Sequence, residues 1–156
     1  MEKRNVTVSA IVAAIVLIGD QLSKHWAETW LRTNGEYKIW DGVLHLRYVE
    51  NRGAAFGMMQ GGKWFFLAIT GIACAAMLYF LIKERKRLHF MMTFSLALLL
   101  SGAIGNLIDR VALGYVRDMI YVALIDFAVF NVADMAVTVG CCLLVLDLLF
   151  FKGKKY

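Results

Sequence analysis

Four aspartates are set apart by what surrounds them. Asp134 lies among Val132, Ala133, Met135 and Ala136, with no cation beside it. Asp20 follows the uncharged run Asn5 to Gly19, and Asp109 follows the uncharged run Phe90 to Ile108. Asp118 sits in the short stretch between Asp109 and Asp134. An ionisable group inside a bilayer costs about 2.5–3.5 kcal/mol on insertion scales, so each needs a reason. Two carboxyls held close in a partly dry layer cannot both ionise easily. One keeps its proton and the other is free to act as a base. Such a pair can activate a water and protonate a leaving amine, which is peptide hydrolysis, and it titrates as a unit. Two other uses of membrane carboxylates stand beside this one. They can relay protons in a transporter, or anchor helix ends through supporting ion pairs, as Asp109 could with Arg110 and Asp20 with Lys24.

Other chemistries find little support. No H-E-x-x-H is present, and His25, His45 and His89 are scattered, so no metal site is expected. Ser23 and Lys24 are adjacent and point to different helix faces, a poor Ser–Lys dyad. Cys74, Cys141 and Cys142 lie inside apolar runs, where they read as small filler. No G-x-x-x-x-G-K-[ST] exists, so no nucleotide or other cofactor is implied. Asp147, near the end of the last apolar run, reads as a helix-end charge.

The elements that must carry these aspartates are membrane helices. Of 156 residues, 60% are hydrophobic and only 19% charged, more apolar sequence than a soluble domain of this length needs. The mean hydropathy of +0.63 points the same way. Low charge, no proline and three cysteines exclude collagenous, disordered and disulfide-scaffold classes. A bilayer core takes roughly 20 residues of helix, and lipid cannot satisfy a bare backbone. The pattern therefore predicts four transmembrane helices in one integral membrane domain, 1–156, with spans near 6–26, 64–82, 90–109 and 128–150. The first span has a basic start but no small-x-small cleavage site, so it reads as a retained signal anchor.

Lys3, Arg4, Lys83, Arg85, Lys86, Arg87, Lys152, Lys154 and Lys155 supply nine of the 17 basic residues and fall on one side of such a bundle. The positive-inside rule makes that side, with both termini, cytoplasmic. The net charge of +5 is thus a topology signal, and no nucleic-acid partner is expected. At 1.5 Å per residue, Asp20 lies roughly 24 Å beyond Arg4, Asp109 roughly 28 Å beyond Phe90, and Asp134 roughly 27 Å before Lys152. The three acids share one layer near the outer face, and Asp118 cannot be far from it. Asn106 and Asp109, like Asn131 and Asp134, are spaced i,i+3 on common faces. Gly102 and Gly105 allow close helix approach just below.

Outside the membrane, residues 36–57 predict a β-hairpin or small sheet. Asp41-Gly42 is a turn dipeptide between Tyr37–Trp40 and Val43–Val49, with Leu44, Leu46 and Tyr48 on one face and His45 and Arg47 on the other. Trp26, Trp30, Trp40 and Trp64 fit an interfacial belt.

Together these residues resemble the lipoprotein signal peptidases (signal peptidase II), bacterial membrane aspartyl proteases. Asp20-Gln21-Leu22-Ser23-Lys24 resembles the family's D-Q-x-x-K, and Asn51-Arg52-Gly53-Ala54-Ala55-Phe56-Gly57 its N-x-G-A-A-F-G. Gly102 to Arg110 resembles G-x-x-G-N-x-x-D-R, Val116-Arg117-Asp118 the V-x-D block, and Phe130-Asn131-Val132-Ala133-Asp134 the F-N-x-A-D block. Five blocks in order on four spans make a specific likeness. It implies a catalytic dyad of Asp118 and Asp134. It implies that Asp20, Lys24, Asn51, Gly53, Ala54, Gly102, Asn106, Asp109, Arg110, Asn131 and Ala133 shape or support the site. The implied partner is a prolipoprotein bearing a diacylglyceryl-modified cysteine, cleaved just before that cysteine. Its signal-peptide helix would enter laterally from the membrane lipids, with the enzyme acting as a monomer and without metal or cofactor. Met119 stands where the family usually has Phe, and Ile120 to Val129 lacks the Pro often found there.

Three outcomes separate the function classes. A peptidase loses processing when Asp118 or Asp134 becomes Asn. A transporter moves protons across proteoliposomes, and a scaffold tolerates Asn at every one of these aspartates.

Overall fold

The structure is a computed structural model that describes residues 2–53 and 62–150, with side chains from Arg4 onward. Four of its helices are long and apolar enough to cross a membrane. They are α1 (Glu2–Trp26), α2 (Lys63–Glu84), α3 (Phe90–Ala112) and α4 (Val132–Phe150). The sequence places α1 about right but ends it early. The helix continues through a π turn, Ala27–Leu31, and a last α turn, Arg32–Asn34, into the region expected to be outer loop.

Helical period decides which face each helix shows. On α1, Ile11, Ile15, Ile18 and Leu22 are exposed, the stripe a lipid-facing helix presents. Asp20, Lys24, Ala27 and Leu31, at the complementary spacing, are buried. α3 is the centre of the bundle and packs against α1, α2 and α4. α2 contributes no buried residue. The α3–α4 crossing depends on small residues. A Cβ on Gly102 would lie 2.4 Å from the Ala133 carbonyl, and one on Gly105 would lie 2.6 Å from Asp20 Oδ2.

The outer sheet has three strands rather than a lone hairpin. β1 (Tyr37–Trp40) and β2 (Leu44–Asn51) form the expected pair, and β3 (Val116–Val122) adds to the other edge of β2. Asp118 therefore lies in a strand, not in a simple connection. Both pairings are antiparallel, with Leu46 opposite Ile120, Val49 opposite Asp118 and Asn51 opposite Val116. Between Leu46 and Val49 the register shifts, so β2 bulges just before it reaches Asp118. His45, opposite Leu44 and Leu46 by strand alternation, does not face solvent. It is buried, its Nε2 accepts the Gly42 N–H at 3.0 Å, and its Nδ1 pairs with Glu36, so its ring closes the turn.

After β3 the chain makes a 3-10 turn, Ala123–Ile125, and returns alongside the strand. Ile120 and Phe130 exchange backbone hydrogen bonds of 2.8 and 3.0 Å. Without proline, the bend is made by Asp126 in the left-handed region (φ 47°), whose Oδ1 accepts the Tyr121 hydroxyl at 2.6 Å. Met119 is 2% exposed and packs with Ala27 and Leu31. The return path sets the start of α4 beside β3, and with it Asn131 to Asp134 beside Asp118.

Candidate active site

The first turn of α4 builds half the site. Asn131 precedes the helix, and its Oδ1 accepts the Asp134 N–H at 2.9 Å. Asp134 Oδ2 in turn accepts the Asn131 N–H at 3.1 Å. This reciprocal pair is a capping box, and the N-x-x-D spacing that makes it is visible in the sequence. A second acid completes the cap from another helix. Asp20 Oδ1 accepts the Ala133 N–H at 2.9 Å.

Below this cap lies a buried ionic network. Lys24 has 0% exposure, and its Nζ lies 2.8 Å from Asp20 Oδ2, 2.8 Å from Asn106 Oδ1 and 3.8 Å from Asp109 Oδ2. An ammonium only donates, so it fixes the carboxamide of Asn106 with its oxygen toward Lys24. The Asn106 Nδ2 then faces the other way and donates to Asp134 Oδ1 at 2.7 Å. Asp109 is held by Arg117 through three bonds, from the backbone N (2.9 Å), Nε (3.1 Å) and Nη2 (2.7 Å). Arg117 also reaches Glu28 at 2.9 Å and Gln21 at 3.2 Å. Asp109 thus pairs with Arg117 and Lys24, not with its neighbour Arg110. One step along a helix turns the side chain to another face. Arg110 instead donates to the Gly53 carbonyl at 3.1 Å and stacks over Phe66.

Asp118 and Asp134 differ from the other two acids in kind. Asp20 and Asp109 each have a cation within 4 Å. Asp118 receives only neutral amides, from Asn51 Nδ2 at 3.0 Å and Asn131 Nδ2 at 2.6 Å. Asp134 receives the Asn106 amide and its own capping N–H. Asn131 touches both carboxylates and bridges them. Among the described residues neither acid is in an ion pair. Burial, followed by the charge of Asp134, pushes the Asp118 carboxyl up to about 7, against the smaller pull of Asn51, Asn131 and Lys24.

Both acids line one cavity of about 530 Å³, with Asn51, Asn106 and Arg110 at its polar end and Phe127, Met135 and Val139 along its apolar side. A second hollow of about 360 Å³, under β2 and β3, shares Asn51 and Asp118 with it. Among the described residues, no three of His, Cys, Asp and Glu converge so as to hold a metal ion.

A family model described as signal peptidase (SPase) II matches residues 12–150. The chain belongs to the signal peptidase II family. It is similar to a lipoprotein signal peptidase of Streptococcus thermophilus (strain CNRZ 1066), 46% identical over 90% of this chain and 92% of that one. It is also similar to the lipoprotein signal peptidase of Clostridioides difficile (strain 630), at 43% over 93% and 97%. Among solved structures, a bacterial membrane enzyme determined by the in meso method at 2.3 Å superposes with a TM-score of 0.86 at 34% identity, covering 96% and 94%. Membership makes the chain a signal peptidase II protease, a hydrolase, and the family's activity is the removal of signal peptides from lipoproteins. With four membrane-length helices it is a multi-pass membrane protein.

Of the residues that the sequence nominates, Asp20, Lys24, Asn106, Asp109, Asn131 and Ala133 join one network around Asp118 and Asp134, and Asn51 joins it from β2. Gly102 lies at the α3–α4 crossing below, a packing position. Gly53 enters only through its carbonyl to Arg110. Ala54 lies outside the described residues. Sequence reasoning gives no role to Arg117, Gln21 and Glu28, which complete the network. Arg117 stands inside a quoted block beside Asp118, and that basic residue in an acidic layer was the available signal. Asp147 is also more than a helix-end charge. It is buried and paired with His89, the residue before α3.

Proposed function

We propose that this family member works as an aspartyl endopeptidase whose reacting groups are Asp118 and Asp134. The observation that carries this reading is the division of labour among Asp20, Asp109, Asp118 and Asp134. Two are neutralised by Lys24 and Arg117, and two are left with amide donors in one cavity. A carboxyl pushed up to about 7 still holds its proton in a large share of molecules at neutral pH, so the pair can carry one proton between them. The ionised member takes a proton from water, and the oxygen attacks the carbonyl carbon of the scissile peptide. The protonated member then gives its proton to the departing nitrogen as the C–N bond breaks. The products are a free carboxylate and a free amine, and the dyad has exchanged one proton for another. Asn106 and Asn131 aim the carboxylates, and Lys24, itself held by Asp20, aims the Asn106 amide.

The substrate we assign is a prolipoprotein whose cysteine carries a diacylglyceryl group, cut on the N-terminal side of that cysteine. Met135 and Val139 are half-exposed on a membrane helix and line the cavity, which gives acyl chains and a signal helix a way in from lipid. With Lys3, Arg4 and Lys83–Arg87 on the cytoplasmic side, the dyad lies at the outer face, at the depth of a lipidated cysteine. The experiment incubates the purified protein with a diacylglyceryl-modified precursor and with the same precursor unmodified, and maps new N-termini by mass spectrometry. The lipidated precursor alone should be cut, leaving the modified cysteine first. Cleavage elsewhere, or equal cleavage of the unmodified chain, would overturn the assignment.

A further inference from the structure

A third cavity, of about 490 Å³, lies between α1, α2 and α3, toward the ends that carry Arg4 and Arg85. Its wall is small on one side, with Ala10, Ala13 and Ala14 of α1, and leucine-rich on the other, with Leu78 and Leu81 of α2. Along α3 it runs from Thr93 to Ile104, a rise of roughly 16 Å, about the depth of one leaflet. Two groups in it are out of keeping with a merely greasy seam.

Ser9 is 2% exposed, and its hydroxyl has no hydrogen-bond partner among the described residues. The other buried hydroxyls of this bundle return to their own helix. Thr93 reaches the His89 carbonyl at 3.0 Å, Ser95 that of Met91 at 2.7 Å, and Ser101 that of Leu98 at 2.9 Å. A buried hydroxyl left unpaired carries its full desolvation penalty, so an acceptor at Ser9 is a gain. Arg85, at the end of α2, lines the same cavity within the run Lys83, Arg85, Lys86 and Arg87. Ser9 sits about a turn and a half inward from Arg4, the level of glycerol esters beneath their phosphates.

We propose that this groove is a binding site for one anionic glycerophospholipid. Its phosphate meets Arg85, an ester carbonyl accepts the Ser9 hydroxyl, and one acyl chain lies along the alanine wall. Charge selects this occupant over the signal helix of a substrate. A signal peptide starts with basic residues, which fall on the same membrane face as Lys83–Arg87 and are repelled by them. An anionic headgroup is attracted there. The site is separate from the dyad, and the proposal does not rest on the peptidase reading.

Native mass spectrometry of the intact detergent-solubilised protein, with added lipid, tests it. The wild type should retain one phosphatidylglycerol in preference to phosphatidylcholine. Arg85→Gln should cut that preference about fivefold. Ser9→Ala should weaken binding of the ester lipid about fivefold yet leave an ether-linked phosphatidylglycerol, which has no ester carbonyl, unchanged. Ala13→Phe should abolish retention. If Ala13→Phe fails to fold, the other two variants still decide. Equal retention by wild type, Arg85→Gln and Ser9→Ala would overturn the proposal. So would one-for-one displacement of the lipid by a synthetic signal-peptide helix, which would give the groove to substrate.

Discussion

Replacing Asp118 by Asn should change how stability depends on pH, by an amount the site's geometry sets. The ordinary carboxyl value is 3.8, and in the folded chain Asp118 holds its proton up to about 7. Between those values the folded state binds a proton that the unfolded state has lost, so stability falls as pH rises through the window. At 1.36 kcal/mol per unit, the wild type should lose about 2.5 kcal/mol between pH 5 and pH 8 that Asp118→Asn does not lose. The variant also pays a fixed cost, because one of the amides of Asn51 and Asn131 now meets a donor. That cost of about 1–3 kcal/mol is the same at both pH values and drops out of the difference. Thermal unfolding in detergent, at pH 5, 6, 7 and 8, reads it as a gap in midpoints that shifts by roughly 5–10 °C in the variant's favour across the range. Parallel profiles for the two proteins would refute the claim that this carboxyl is buried beside a second one without a cation.

Other outcomes follow from the same contacts. Arg117→Leu leaves Asp109 with only the longer contact to Lys24 and should destabilise by about 3–5 kcal/mol in unfolding experiments, with Asp109→Asn added to Arg117→Leu recovering part of the loss. Gly102→Leu places atoms where the Ala133 carbonyl already lies 2.4 Å from a Cβ, so the α3–α4 contact should open and little folded protein should be recovered by size exclusion. Asn131→Ala removes the cap of α4 and the bridge between the acids. It should cost about 1–2 kcal/mol in unfolding and lower processing more than that loss of stability explains.

The depth arithmetic made the layer of acids legible, because three helices with countable ends bring Asp20, Asp109 and Asp134 to one height. Asp134 was legible as unusual for want of a cation in its flanks, and its structure agrees, since only amides reach it. Partners across the fold were not legible. Asp118 owes its place to β3 joining β2, with Asn51 reaching it from 67 positions away, and no local pattern announces that pairing. The neighbour Arg110 was the obvious cation for Asp109, yet the fold brings Arg117 back from a different element to take that place. His89 and Asp147 are 58 positions apart and meet only because α3 and α4 pack together. Alternation sets His45 opposite Leu44 and Leu46 but does not announce that its ring is buried, closing the turn with Gly42 and Glu36.

The dyad itself is tested most directly by single-turnover cleavage of a diacylglyceryl-modified precursor, with wild type, Asp118→Asn and Asp134→Asn compared at equal folded concentration from pH 5 to pH 9. The wild-type rate should fall off above about pH 7 as Asp118 gives up its proton. Each variant should stay at least about a hundredfold slower throughout. Turnover at the wild-type rate by either Asn variant would contradict the account.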